Sequence, residues 1–326
     1  MENDLIKIGC MGCAKIAERS FLPAIKSIPK HFKLIAIASR TLSKAIKFSD
    51  QFQCEPVLGY QNLLARQDID AIYMPLPTGM HHEWIAKSIK AGKHIYAEKS
   101  FASNLNQTKE LLSLAKKKNI ALMEGYMFLY HKQFKKIQSF IKNKELGELR
   151  HFNGAFGFPP LEIDNFRYDE KIGGGVLMDA AGYPLIASNK LFGNQLEIKA
   201  ATMYLDDKLN TYLWGSAFLS NSKGFGGSIS FGFDNNYQCS FGIWGSKAHL
   251  FANRIYTAGI NHSPEIIISR NNQKETIKLE QDNHFIASLM HFRNIIKNNK
   301  NRQDSYQQIL NQSISLEKIR EISSQK

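Results

Sequence analysis

Six short, mostly apolar runs recur through the first 125 residues, at Leu5–Gly9, Phe32–Ala38, Glu55–Val57, Ala71–Met74, His94–Ala97 and Ile120–Met123, with helix-forming stretches between them. Runs with so little polar alternation have no wet face, and when they alternate with helices they form a parallel sheet covered on both sides by right-handed crossovers. The expected fold of this half is therefore α/β, a doubly wound parallel sheet. Sheets of that kind bind ligands beyond the carboxyl ends of their strands, so the residues following each run are where chemistry is expected.

The first run leads into Gly12-Cys13-Ala14-Lys15-Ile16-Ala17 and then a helical stretch. Strand, tight turn and helix in that order match a dinucleotide fingerprint, G-x-G-x-x-G/A, whose small residues make the turn, admit the pyrophosphate and pack the helix on the sheet. Ala14 occupies the second small position and breaks the strict pattern by one methyl group. The second run ends at Ser39-Arg40, 22 positions after Ala17, with Lys44 one helical turn further on. An acidic residue there would bind a ribose 2′-hydroxyl, whereas a hydroxyl and a guanidinium suit a 2′-phosphate. The expected cofactor is NADP (NADPH), with Gly12, Cys13, Ala14, Lys15 and Ile16 at the turn and Ser39, Arg40 and Lys44 at the phosphate.

The fourth run is followed by Pro75-Leu76-Pro77-Thr78-Gly79-Met80-His81-His82. Two prolines stiffen the loop, which is expected to cross the cofactor crevice with Leu76 and Pro77 lining it. His81 either contacts the cofactor or simply begins a helix. Ala97-Glu98-Lys99-Ser100 closes the fifth run. Glu98 and Lys99 are there either solvated loop charges or, at the carboxyl end of a buried strand, groups facing the cofactor.

Beyond Glu145-Leu146-Gly147-Glu148 the pattern changes to long β-type runs, Leu149–Phe158, Ile198–Leu205, Tyr212–Leu219, Gly226–Phe233 and Tyr237–Trp244. With few helices between them they predict an α+β domain built on an open, mostly antiparallel sheet. The expected division is a cofactor-binding domain over 1–125 and a substrate-binding and oligomerisation domain over 126–326, the C-terminal helix being able to pack back on the first. A broad sheet face rich in Phe, Tyr and Trp needs covering, which predicts a homo-oligomer, dimer or tetramer, through that sheet. Gly224, Gly226 and Gly227 read as turn or bulge residues. In Gly173-Gly174-Gly175-Val176-Leu177-Met178-Asp179-Ala180-Ala181-Gly182-Tyr183-Pro184, Asp179 and Tyr183 are spaced i, i+4 on an otherwise apolar helix. Burying both costs free energy unless each has a partner or a purpose.

A chain of 326 residues suits two domains, and 43% hydrophobic with 22% charged residues is ordinary globular composition. The net charge of +13 favours acidic partners in general, but the basic residues are dispersed and runs such as Lys116-Lys117-Lys118 read as solvated helix faces. Neither nucleic acid nor membrane is expected as a partner. The acidic start Met1-Glu2-Asn3-Asp4 lacks the basic head and apolar core of a secretory signal, so a cytoplasmic location is expected. Cys10 and Cys13 have C-x-x-C spacing, yet no second ligand pair follows; small buried thiols are expected rather than a zinc or redox site, and no metal.

Taken together, the glycine-poor turn, the Glu98-Lys99 pair and the Gly-Gly-Gly-x-Leu-x-Asp-x-x-x-Tyr segment resemble the Gfo/Idh/MocA oxidoreductases over nearly the whole chain. Within that family the likeness is to NADP-dependent sugar 3-ketoreductases acting on nucleotide-linked deoxysugars. It rests on Gly12-Cys13-Ala14, Ala38-Ser39-Arg40, Val57-Leu58-Gly59-Tyr60, Pro75-Leu76-Pro77, His81-His82-Glu83-Trp84, Phe158-Pro159-Pro160 and Trp244-Gly245-Ser246. Ser100 departs from the proline that most members carry, and Tyr183 stands where many have histidine. The resemblance implies a Rossmann first domain, with Lys99, Tyr183 and Asp179 as the catalytic residues. It also implies reduction of a sugar ketone, with Tyr183 giving the proton, Lys99 assisting, and Tyr126, Arg167, Asp179 and Tyr183 touching substrate. The rival expectations are an NADP-dependent dehydrogenase of a free sugar, polyol or trans-dihydrodiol, and a non-catalytic NADP-binding sensor or regulator.

Overall fold

The computed structural model describes residues 5–193 and 196–324; the acidic start Met1 to Asp4 lies outside them. Two compact units comprise Met1–Gly125 with Phe285–Leu310, and Tyr126–His284 with Asn311–Lys326. No helix among the described residues is long and apolar enough to cross a membrane.

The first unit holds a six-stranded sheet of β1 (Ile6–Met11), β2 (Phe32–Ser39), β3 (Glu55–Leu58), β4 (Ala71–Met74), β5 (His94–Ala97) and β6 (Leu122–Glu124). Their order is β3-β2-β1-β4-β5-β6, every neighbouring pair parallel. The direction of winding reverses between β1 and β4, so a crevice opens beyond their carboxyl ends. The helices between strands are α1 (Leu22–Ser27), α2 (Leu42–Phe52), α3 (Tyr60–Ala65), α4 (His81–Lys90) and α5 (Leu105–Lys118). In α2 the buried positions Ala45, Phe48, Ser49 and Phe52 follow helical spacing, which fixes its inward face. Asn104 caps α5 by accepting from Gln107 N at 3.0 Å, and Asn119 ends it in the left-handed region, φ 56°.

From its carboxyl part the chain returns to this unit. Ser288 Oγ, on α8 (His284–Lys297), lies 2.6 Å from Tyr96 Oη. Tyr306 and Ser305, on α9 (Asn299–Ser323), donate to the carbonyls of Ile120 and Leu122. These bonds satisfy polar groups at the β5–β6 side of the sheet.

The second unit contains an eight-stranded sheet ordered β14-β13-β12-β11-β7-β10-β9-β8. Here β7 is Leu149–Gly157, β8 Glu197–Asp206, β9 Thr211–Ser220, β10 Gly226–Gly232, β11 Gln238–Gly245, β12 His249–Asn253, β13 Glu265–Arg270 and β14 Gln273–Lys278. Only the central β7–β10 pair is parallel. One face packs Phe152, Ile229, Phe241 and Ile243 into the core with Leu185 and Ile186 of α7 (Gly182–Phe192) and Leu316 of α9. On β9 the alternate residues Trp214 and Phe218 are exposed, as is Trp244 on β11.

Two helices share one irregularity. Pro23 and Pro184 lack the N–H that would pair with the carbonyl four residues back, and just before each the chain widens into a π-type turn, Ala17–Phe21 and Leu177–Ala181. Both turns carry residues singled out in the sequence or packed behind them.

Candidate active site

In the first unit the strand ends converge on Gly12. Its φ of +119° is one that side-chain-bearing residues rarely adopt, and its N–H donates to Ala38 O at 2.9 Å, joining the ends of β1 and β2. A Cβ on it would lie 3.0 Å from Leu76 Cδ2 and 3.9 Å from Tyr60 Oη, so Leu76 and Tyr60 border the bare turn. Cys13, Ala14 and Ile16 are half-buried and Lys15 is exposed. Ser39 is buried, with Oγ accepting from Thr41 N, while Arg40 and Lys44 stand exposed beyond β2. A concave turn beside two exposed cations can hold a phosphate-bearing ligand. Burial pushes the thiols of Cys10, Cys13 and Cys54 up, and all four cysteines are free.

Beyond β4 and β5 the chain is held by side chains that point inward. Glu98 N donates to Met74 O at 3.1 Å, and Tyr73 Oη donates to Glu98 Oε1 at 2.7 Å. Burial pushes the Glu98 carboxyl up to about 6, against the pull of the Tyr73 hydrogen bond and the Lys99 charge. Tyr73 itself stacks on Phe21, ring centroids 3.5 Å apart, so the π-type turn after β1 supports the ring that holds Glu98. Glu98 and Lys99 are half-buried, and the Lys99–Ser100 peptide is cis. His81 is fully buried, its two ring nitrogens 2.8 Å from Ser100 O and 2.9 Å from Leu76 O. Both nitrogens are thus engaged with backbone, which makes His81 a brace between two loops. Glu124, also buried, accepts from Phe101 N at 2.8 Å, and burial pushes its carboxyl up to about 8.

In the second unit Arg167 and Asp179 meet, Nε to Oδ2 at 3.0 Å. Arg167 sits on a short turn capped by Asn165, whose Oδ1 accepts from Arg167 N at 3.1 Å. The glycine run lets the following chain lie against that turn, since a Cβ on Gly173 would overlap Phe166 O and Arg167 Cα. Tyr183, 7% exposed, is boxed by aromatic rings: Phe156 at 4.5 Å, Tyr126 at 5.4 Å, Tyr256 at 5.8 Å and Phe128 at 6.0 Å between centroids. Gln312 on α9 donates to Gly182 O at 2.9 Å and to Tyr126 Oη at 3.3 Å, fixing the start of α7.

The expected residues of each unit therefore gather within that unit: Gly12, Leu76, His81, Glu98 and Lys99 around the β1, β4 and β5 ends, and Tyr126, Arg167, Asp179 and Tyr183 around the start of α7. Sequence reasoning missed Tyr73, Glu124, Gly182 and Gln312. Tyr73 lies inside an apolar strand and Glu124 at the end of one, and each leaves only a polar atom in an apolar run as a signal; Gln312 leaves none.

Residues 6–126 match the oxidoreductase family with an NAD-binding Rossmann fold, and residues 134–251 match the Gfo/Idh/MocA C-terminal domain. The chain belongs to the Gfo/Idh/MocA oxidoreductase family. This Gfo/Idh/MocA oxidoreductase is 37% identical over 274 residues to a dTDP-3,4-didehydro-2,6-dideoxy-α-D-glucose 3-reductase of Saccharopolyspora spinosa, covering 84% of this chain and 82% of that one. A 3-reductase of the same description from Actinomadura kijaniata is 32% identical over 315 residues, 97% of this chain and 95% of its own. The crystal structure of KijD10, a 3-ketoreductase from Actinomadura kijaniata in complex with NADP and TDP-benzene, has a TM-score of 0.93 at 32% identity and 97% coverage of both chains.

Proposed function

We propose that this Gfo/Idh/MocA oxidoreductase reduces a ketone, at C-3, of a nucleotide-linked deoxysugar with NADPH. The observation that carries the reading is the likeness to a 3-reductase of a dTDP-linked dideoxysugar over 97% of the chain. The first unit suits the cofactor: Gly12 leaves a cradle that a Cβ would fill, and Arg40 with Lys44 gives a 2′-phosphate two cations and no carboxylate to repel it. When bound, NADPH supplies the hydride that the ketone carbon receives.

Negative charge then develops on the carbonyl oxygen, and a positioned acid must neutralise it. Tyr183 is the proton donor, and its aromatic box fixes the ring. Lys99 assists as the cation that stabilises the developing negative charge. Asp179, paired with Arg167, holds a substrate hydroxyl or the guanidinium that does so. The exposed aromatic residues Trp214, Phe218 and Trp244 on the open sheet face are the surface through which a second copy would associate.

The test is turnover of dTDP-linked 3-keto-2,6-dideoxysugars against free sugars, polyols and trans-dihydrodiols, following NADPH consumption. Reduction confined to the nucleotide-linked ketone is expected, and preferential oxidation of a free sugar or dihydrodiol would transfer the assignment to that class. Tyr183→Phe and Lys99→Ala should each lower kcat on the order of a hundredfold or more with NADPH binding retained. Near-normal turnover in both variants removes them from the mechanism.

A further inference from the structure

The backbone just past Lys99 is gripped at consecutive residues by two buried side chains, one from the helix that follows β4 and one from the neighbouring strand β6. His81, the first residue of α4, reaches Ser100 O with Nδ1 at 2.8 Å and Leu76 O with Nε2 at 2.9 Å. Glu124, the last residue of β6, reaches Phe101 N with Oε1 at 2.8 Å. Both are expensive to bury. A neutral imidazole has one N–H for two carbonyls, and burial lowers the His81 pKa, which disfavours the imidazolium that would serve both. The second oxygen of Glu124 is buried with no hydrogen-bond partner. Serine has no ring to fix its backbone, so the directions of the Ser100 carbonyl and the Phe101 amide depend on what they bond to.

We infer that His81 and Glu124 are positioning residues for Lys99: together they fix the backbone that aims its ammonium. The same His81 ring ties this loop to Leu76, which borders the Gly12 turn, so the lysine and the cofactor cradle are held in one frame. At the end of β2, by contrast, Arg40 stands exposed after a backbone bond from Gly59 N to Ser39 O at 2.8 Å. This inference rests on the proposed role of Lys99, and misplacement of a reacting group by an ångström costs about a hundredfold in rate.

The experiment is a set of double-mutant cycles on kcat, with the nucleotide-linked ketone and NADPH, thermal midpoint and NADPH affinity measured for each variant. His81→Ala and Glu124→Met should each lower kcat about ten- to a hundredfold, with KM for NADPH little changed in Glu124→Met. Glu124→Gln keeps an acceptor for Phe101 N in the same volume and should recover most of the loss seen in Glu124→Met. In a Lys99→Ala background, adding His81→Ala or Glu124→Met should leave the residual rate within about twofold, because no ammonium remains to be aimed. Equal losses in both backgrounds, or losses in Glu124→Gln as large as in Glu124→Met, would overturn the positioning role. A fully active Lys99→Ala variant would instead overturn the reading of Lys99 itself, so the two failures are separable.

Discussion

The hydroxyl of Tyr126 occupies the space into which any side chain on Gly182 would have to grow. The same phenol accepts from Gln312 and meets the Tyr183 ring edge-on, centroids 5.4 Å apart. Gly182→Ala must therefore push Tyr126 off Gln312 and shift the neighbouring Tyr183, at an overpacking cost of about 1–3 kcal/mol. The melting midpoint should fall and kcat should fall with it, while Tyr126→Phe combined with Gly182→Ala recovers part of both by removing the clashing oxygen. A Gly182→Ala protein with an unchanged midpoint would show that this contact yields freely.

Arg40 stands exposed beyond β2, and the proposed function gives it the cofactor's 2′-phosphate. A hydrogen bond to a charged group contributes about 1.5–3 kcal/mol, so Arg40→Asp should weaken NADPH binding by about ten- to a hundredfold. NADH has no phosphate to lose there, and its affinity should change little. Titration of both cofactors checks this, and equal weakening would detach Arg40 from the 2′-phosphate.

Much of the first unit was legible because its strands are short, buried and separated by helices, a pattern with few solutions. Gly12, Leu76, Glu98 and Lys99 could be placed for the same reason: in a parallel sheet, the residue after each strand is carried to one edge. The second unit was harder. β13 and β14 are joined through Asn271-Asn272, with φ of 47° and 65°, the two-residue hairpin turn that Asn favours, but β14 is a polar edge strand without apolar alternation. What the sequence hid most completely was support. Glu124 reads as one acid at the end of an apolar run, and Gln312 as one amide on a polar helix; their roles depend on strands and helices far away in the chain. The pairing of Arg167 with Asp179 was hidden likewise, since only the glycine run folding back at Gly173 brings the two together.

That pair gives a prediction for substrate. Asp179 is the more enclosed partner, its side chain 14% exposed against 33% for Arg167. Asp179→Asn keeps the shape and removes the charge, leaving Arg167 without its counter-ion. KM for the nucleotide-linked ketone should rise in Asp179→Asn and in Arg167→Met with NADPH affinity unchanged. The double variant should fall short of additivity by at least about 0.5 kcal/mol, as expected for residues in contact. Additive effects would mean that the two residues act separately on substrate.

Stability against pH separates the buried acids from the buried histidines. Burial raises Glu124 from an ordinary 4.5 to about 8, so between those values the folded state holds a proton that the unfolded chain releases, and stability falls as pH rises. Burial lowers His94 from 6.5 to about 4 and His284 from 6.5 to about 3; there the unfolded chain takes up the proton first, and stability falls as pH drops through those windows. From about pH 7 to 8 these two histidines are mostly neutral in both states, which leaves the Glu124 slope, at most about 1.4 kcal/mol per pH unit, uncovered. Denaturant unfolding across that range should show a declining midpoint in the parent protein and a flatter one in Glu124→Gln. Below pH 4.5, where Glu124 is protonated in both states, the two proteins should decline in parallel as His94 and His284 force their charge upon the core. A Glu124→Gln protein that keeps the full alkaline decline would assign that slope to other groups.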